Sequence, residues 1–228
     1  MKILSLDSTD KKVSVSLMEN KKVLAEFFLN SELKCGQTLA PLVNSVLNNF
    51  DFSVKDIDFL AASIGPGSFT SIRIGVSLIN GMALALQKKC IGISSLLALA
   101  YNCLDDNKIL CSCIHAREDE IYCGIFESKL GIINRISEDK AIKISELTNI
   151  IKNFKSDITL IGSGTEFCYN ELADYPFDFK IGNEKHTAAF NVGLATFDFL
   201  ENSEAVEYLE PNYIKLSKAE REFKEKLQ

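Results

Sequence analysis

Three short turns in this sequence combine residue types and spacings that could do chemistry. The first is Gly65-Pro66-Gly67-Ser68-Phe69-Thr70-Ser71-Ile72-Arg73-Ile74-Gly75, where an apolar run meets a glycine-rich turn and then a helical pattern. The free N–H groups and positive dipole end of a helix start attract anions. Gly65 and Gly67 would let a phosphate approach the backbone, Ser68 and Thr70 offer hydroxyls, and Arg73 adds a charge one turn in. The stretch is neither a P-loop nor a GxGxxG turn, since no Gly-Lys-Ser/Thr follows. The competing reading is a tight strand–helix turn with Ser68 or Thr70 as the cap. The second turn is Asp7-Ser8-Thr9, where a carboxylate could hold a metal–phosphate complex; equally, Asp7 and Ser8 could serve only to stabilise a hairpin. The third is Gly162-Ser163-Gly164, which takes in the second half of the chain the place that Gly65 and Gly67 take in the first. Two such turns from two lobes could face one cleft.

Other chemistry is poorly supplied. The only histidines, His115 and His186, lie in separate segments, and no HExxH is present, so a histidine-rich metal site is not expected. Gly75-Val76-Ser77-Leu78-Ile79 lacks the final glycine of a nucleophile elbow. Cys111 and Cys113 alternate by two and share one strand face, where they pack. Cys35 follows Lys34, which could lower its pKa, but no base is near it in sequence. No catalytic residue and no metal ligand is therefore named.

The elements that position these turns follow from periodicity. Residues 2–7 and 13–18 read as a strand hairpin and 23–29 as a third strand. Leu39, Leu42, Val43, Val46, Leu47 and Phe50 recur with helical spacing, so 38–50 form an amphipathic helix. A strand at 57–64 leads through the first glycine turn into a helix reaching about Lys88, followed by a strand at 90–93 and a helix to about Cys103. After Leu104-Asp105-Asp106-Asn107-Lys108 the strand–hairpin order restarts. Strands are expected at 108–116, 120–127 and 131–136, a helix capped by Ser145, a strand at 157–161, and a helix capped by Thr187. Residues 210–215 are extended around Pro211, and the charged last twelve residues read as a solvated tail.

The 228 residues carry 25 Lys+Arg against 31 Asp+Glu, a net charge of -6, and 46% hydrophobic residues. This is globular usage, and its sign argues against broad, unaided binding to nucleic-acid phosphates. The start is too briefly apolar for a signal segment or membrane span. Seven cysteines without a CxxC pair suit a reduced, cytoplasmic protein. The repeated element order predicts two tandem α/β lobes, 1–104 and 105–228.

The turn at 65–75 closely resembles the GPGSFTGxRIG signature of the bacterial TsaB (YeaZ) family. The resemblance covers nearly the whole chain. Residues 3–9 look like the family's ILAIDTS start, and 37–43 like its QxxLxPLV stretch. Ile91-Gly92-Ile93-Ser94-Ser95-Leu96 resembles its GVSSL segment, Ala116-Arg117 with Glu120-Ile121-Tyr122 its DARxxEVY hairpin, and 210–214 its EPxYLR ending. The resemblance departs from the pattern at Cys35 (usually His), His115 (usually Asp) and Ser71 (usually Gly).

The resemblance implies the actin/Hsp70/sugar-kinase (ASKHA) fold and a role in making N6-threonylcarbamoyladenosine (t6A) in tRNA, next to the anticodon. It implies a non-catalytic subunit, without activity of its own, that binds and activates a TsaD-type catalytic paralogue together with a TsaE-type ATPase. ATP or ADP would then sit at an interface of the complex, and tRNA would be held chiefly by the partner. The expected contacts lie on the first two helices, at Gln37, Leu39, Leu42, Val43 and Val46, and at Ile72, Val76, Ile79 and Ala83; the same stripe could be core. Without its partner the chain would form a homodimer. Asp7, Ser8, Gly65, Gly67, Ser68, Thr70, Arg73, Gly162 and Gly164 remain the candidate nucleotide or anion site. Such a site also admits a second reading, an ATP-dependent phosphotransferase of the sugar-kinase superfamily. A metallopeptidase lacks ligands.

Overall fold

A computed structural model describes residues 1–10, 12–30, 35–48, 52–104, 107–152, 154, 158–172, 178–179 and 188–215. Its first half builds a five-stranded sheet. Strands β1 (Lys2–Asp7), β2 (Lys12–Glu19) and β3 (Lys22–Asn30) form an antiparallel meander. Helix α1 (Cys35–Asn48) follows, then β4 (Phe59–Gly65), α2 (Phe69–Leu86) and β5 (Lys89–Ser94), with β4 and β5 parallel to β1. The order across the sheet is β3-β2-β1-β4-β5. Helix α3 (Ser95–Ala100) leads to the second sheet.

That sheet repeats the plan. Strands β6 (Ile109–Arg117) and β7 (Glu120–Lys129) form the hairpin, and β8 (Ile132–Arg135) and β9 (Lys140–Lys143) both pair with β7. After α4 (Ile144–Ile151), β10 (Ile158–Ile161) runs parallel to β6; after α5 (Thr165–Leu172), β11 (Asp178–Phe179) runs parallel to β10. Its order, β11-β10-β6-β7-β8, is that of the first sheet read from the other edge. The two-lobe expectation drawn from element order is therefore met in topology.

The layers cross the midpoint of the chain. Helix α3, from the first half, packs on β6 and β7, while α6 (Ala189–Asn202), from the second half, packs on β1 and β2. Together these helices and the sheets on either side bury one core that includes Ile3, Met18, Leu96, Leu99, Phe126 and Val192. A second core lies under α1 and α2, and a third under α4 and α5. The expected boundary at Leu104-Asp105-Asp106 falls partly outside the described residues. A cut there would separate the two sheets but leave each with a helix from the other half.

Strand β1 shows why its short sequence forms a strand. It is buried on both faces beyond Lys2, with Leu4 and Leu6 in the core beneath α1 and α2 and Ile3 in the core beside α6. A strand flanked by helices on both sides needs this near-continuous apolar run.

Some local expectations shift. Helix α4 starts at Ile144 with Lys143 at its cap, so Ser145 lies inside it; the Ser145 carbonyl instead accepts a bond from the Thr148 hydroxyl. Thr187, the expected cap of α6, lies outside the described residues, as do Phe50, His186 and the charged tail. Ala188 stands at the α6 cap and offers no side-chain acceptor. The first sheet supplies the caps instead. The Ala189 N–H donates to Ser14 Oγ at 2.8 Å, and the Phe190 N–H donates to Glu26 Oε1 at 2.9 Å. These are two of the free donors at a helix start. They are satisfied here from strands β2 and β3.

Burial pushes the Glu26 carboxyl up from its ordinary 4.5 to about 7, and the bond from the Phe190 N–H opposes that rise. The folded chain therefore holds a proton on Glu26 that the unfolded chain releases near 4.5. Stability from this group is full below pH 4.5 and is lost as pH rises through about 7. Urea unfolding at a series of pH values should show that decline in the native chain, and Glu26→Gln should flatten it. Equal slopes in the two proteins would contradict the assignment.

Candidate functional site

The β1–β2 turn and the glycine turn before α2 meet face to face. Asp7 ends β1 with 1% of its surface exposed. Its Oδ1 accepts the Thr9 N–H at 2.7 Å and the Thr9 hydroxyl at 2.8 Å, and its Oδ2 accepts the Ser63 hydroxyl at 3.3 Å. Ser8 is fully buried, its hydroxyl donated to the Ser71 carbonyl at 2.9 Å. The Ser68 N–H donates to the Thr9 carbonyl at 2.9 Å. Gly67 lies so close to that same carbonyl that any Cβ there would collide with it. Gly65 has φ +113, and a Cβ would come within 2.9 Å of the Asn212 carbonyl. Small size is thus required at Gly65 and Gly67, but for contact with the chain's own backbone.

Ser68 is the N-cap of α2 by position, but its side chain caps no N–H; its hydroxyl bonds to Ser71 Oγ at 3.2 Å. Thr70 is exposed in the first turn. Arg73 is exposed as well, and its Nε donates to the Tyr213 hydroxyl at 2.6 Å. Its guanidinium lies 5.3 Å from the Tyr213 ring centre and 6.0 Å from that of Phe69. The tyrosine ring stacks on Phe69, with centroids 4.7 Å apart and planes 15° from parallel. Neither the contact of Arg73 with Tyr213 nor the seating of residues 209–215 on the signature turn was visible in sequence. The only sign was that both segments carried family-like motifs, 140 residues apart.

The second glycine turn behaves like the first. Gly162 has φ +108 and presses on the Cys113 carbonyl, where a Cβ would collide. The Gly164 N–H donates to that carbonyl at 3.0 Å, and the Thr165 N–H to the Gly162 carbonyl at 3.2 Å. A phosphate cradle needs free N–H donors. At Thr9, Ser68, Gly164 and Thr165 they are already used within the chain. A shallow groove open to solvent lies beside the signature turn, lined by Pro66, Phe69, Tyr122 and Tyr213 among others.

The expected partner-contact residues divide sharply. Leu39, Val43, Val46, Ile72, Val76, Ile79 and Ala83 are all buried in the core beneath α1 and α2. They cannot touch a partner, and this corrects the expectation: the apolar stripe of an amphipathic helix faces its own sheet first. Gln37 is exposed and Leu42 half-buried. The exposed residues on the two helices are Gly36, Gln37, Ala40, Pro41, Asn44, Ser45 and Asn48 on α1, and Thr70, Arg73, Ser77, Gly81, Leu84 and Ala85 on α2, with Ile74, Leu78 and Met82 half-buried.

The three departures from the family pattern are ordinary in their surroundings. Burial pushes the Cys35 thiol up, as does the nearby Asp7, while a hydrogen bond with Ser8 acts in the other direction. The activation expected of Cys35 from its neighbour Lys34, which lies outside the described residues, is therefore reversed. Ser71 takes part in the two bonds given above. His115 stacks on Phe167, with centroids 3.7 Å apart. The remaining six cysteines are free and buried, with Cys111, Cys113, Cys123 and Cys168 in the core beneath α4 and α5.

Two matching α/β lobes with glycine turns facing inward define the class: an ASKHA-type protein whose turns bind their own backbone. Among solved structures the chain is similar to YeaZ from Pseudomonas aeruginosa, with TM-score 0.82 and 24% identity over 93% of this chain and 99% of that one. It is also similar in fold to the ROK hexokinase of Thermus thermophilus, with TM-score 0.52 and 11% identity over 89% of this chain and 100% of that one. The family model described as "TsaD: tRNA N6-adenosine threonylcarbamoyltransferase" matches residues 31–222. The tRNA threonylcarbamoyladenosine biosynthesis protein TsaB of Bacillus subtilis is 25% identical over 96% of both chains, and that of Escherichia coli is 30% identical over 72% of both. The chain belongs to this family, in its TsaB (YeaZ) branch, whose curated members are proteins of t6A biosynthesis.

Replacing Gly67 or Gly162 by alanine should destabilise the protein by about 1–3 kcal/mol, the usual cost of overpacking. Denaturant midpoints measure it. Unchanged midpoints would mean that these turns have the room a phosphate needs.

Proposed function

We propose that this chain is a non-catalytic subunit in t6A formation that docks on a TsaD-type catalytic paralogue through the exposed faces of α1 and α2, and so activates it with a TsaE-type ATPase. One observation carries the reading. Helix α2 is long and apolar enough to cross a membrane by length and composition, yet only 28% of it is buried. It is not free to enter a bilayer, because it joins the parallel strands β4 and β5 and packs on β4 through Ile72, Gly75, Val76 and Ile79. Its outer face therefore meets water unless another protein covers it. That face shows one large apolar side chain, Leu84, among the small residues Ser77, Gly81 and Ala85, a surface that suits a packed protein partner.

The composition of that face suits a helix as partner. Gly81 has no atom within 4 Å of a Cβ placed on it, and Ser77 and Ala85 add little bulk, so a second helix can come close. Leu84, 83% exposed, stands beside them as the natural anchor. Gln37 at the start of α1 and the half-buried Leu42 extend the face. A second copy of the chain would satisfy the same surface when the paralogue is missing, which is the physical basis for a homodimer in isolation. We place the complex in the cytoplasm with its thiols reduced, and tRNA chiefly on the catalytic partner, as the net charge of -6 favours.

ATP or ADP belongs, on this reading, to an interface of the complex. The alternative of a free-standing phosphotransferase meets an obstacle at Asp7, whose carboxylate is spent on Thr9 and Ser63. Calorimetry of the isolated chain with Mg-ATP should give no binding heat; tight binding would restore the phosphotransferase reading.

Gly81→Arg separates docking from folding. The side chain has space in the isolated chain, and arginine is a better helix former than glycine by up to about 1 kcal/mol. Its melting temperature should equal or exceed the native value. Association with the TsaD-type subunit should be lost, and with it modified-nucleoside formation in a reconstituted reaction with the TsaE-type ATPase. Native-like association of the Gly81→Arg chain, or nucleoside formation at full rate with the chain left out, would sink the proposal.

A further inference from the structure

The segment that follows α6 runs beside α2, held by the ends of β5 and β4 and by Asn80 and the first turn of the helix. Val206 exchanges backbone hydrogen bonds with Cys90 of β5, at 2.7 and 2.9 Å. The Asn80 side chain, in the middle of α2, pairs with both backbone groups of Leu209, donating to its carbonyl at 3.0 Å and accepting its N–H at 2.8 Å. The Asn212 N–H donates to the Ile64 carbonyl at 2.8 Å. Tyr213 then reaches Phe69 and Arg73 in the first turn of the helix. Contacts that pass from Cys90 through Asn80 to Phe69 as the numbering rises from 206 to 213 mean that the segment runs antiparallel to α2. Lys215 continues to an ion pair with Glu120 of β7.

A segment that served only to seal the core would turn its large side chains inward. Leu209 does so and is 3% exposed. Its neighbour Tyr208 is 66% exposed and Val206 46%, beside a helix that already shows Leu84 at 83%. We infer that residues 206–213 are a second component of the partner-docking face: they hold the first turn of α2 in place through Tyr213 and present Tyr208 to the same partner that covers α2. The inference rests on the docking proposed above. A tyrosine offers a large contact area at small entropic cost, which is why this residue type is enriched at interface hot spots. The anchors at Asn80, Phe69 and Arg73 on α2, with those at Cys90 and Ile64 on the flanking strands, fix the segment beside the helix. On this reading the signature turn at 65–69 is the receptor for the chain's own carboxyl-proximal segment, and Arg73 and Tyr213 are positioning residues.

Full-length variants, each titrated against the TsaD-type partner, test this. Tyr208→Ala removes an exposed side chain and should weaken the complex by about tenfold with no change in melting temperature, a combination that a purely structural role does not produce. Tyr213→Ala should weaken it by a similar factor, while Tyr213→Phe, which keeps the stack on Phe69 and loses only the bond from Arg73, should recover most of the affinity. If both alanine variants bind as tightly as the native chain while Gly81→Arg does not bind, the inference is overturned and docking on α1 and α2 stands. If the native chain itself fails to bind, the docking proposal falls and takes the inference with it.

Discussion

The contact between the Thr9 carbonyl and the turn at Gly67-Ser68 is the constraint on which the rest of this molecule depends. Two backbones meet there at a distance that no side chain at position 67 would allow. The Ser68 N–H completes the joint. It ties the first hairpin of the sheet to the start of α2, so the helix has one possible position relative to β1. The same joint is made in the second lobe, where Gly162 and Gly164 close on Cys113. In both lobes these donors are used within the chain, which makes each turn a rigid joint.

That support matters because the outer face of α2 is exposed, with Leu84 standing among small residues. One face of this helix is bound to the sheet, and the other is the face proposed above to meet a partner. The buried face is anchored by Ile72, Val76 and Ile79, and the exposed one carries Gly81, Leu84 and Ala85. The segment from Val206 to Tyr213 holds the helix at Asn80 and in its first turn. Helix α6 is held in a similar long-range way, its first N–H groups received by Ser14 and Glu26. In both cases the chain uses partners more than a hundred residues away where local caps are missing.

Much of this was legible in the residues. Strands β1 to β3 were marked by apolar runs, α1 and α2 by helical periodicity, and the repeat of the order by its restart near Lys108. The signature turn announced the family. What misled was the stripe of Leu39, Val43, Val46, Ile72 and Ile79. Periodicity reports that a helix has an apolar face, and it says nothing of what covers that face. The sheet has first claim, because intramolecular burial carries no association cost. The surface left for a partner was the fainter pattern, small residues and one leucine, which periodicity does not weigh. The cap assigned to Ser145 failed for a related reason: the backbone entered the helix one residue earlier, at a position with no capping side chain.

The sequence by itself determined the α/β class, the two-lobed plan and the family, since hydrophobic period and glycine placement are local properties carried in each segment. It also determined that histidine-based chemistry was poorly supplied. Only the tertiary structure decided that Asp7 is a buried turn residue, that the glycines answer to carbonyls and that Arg73 answers to Tyr213. These are contacts between segments far apart in the chain. Their existence depends on how the two sheets and their crossed helices close upon one another, which no local pattern encodes.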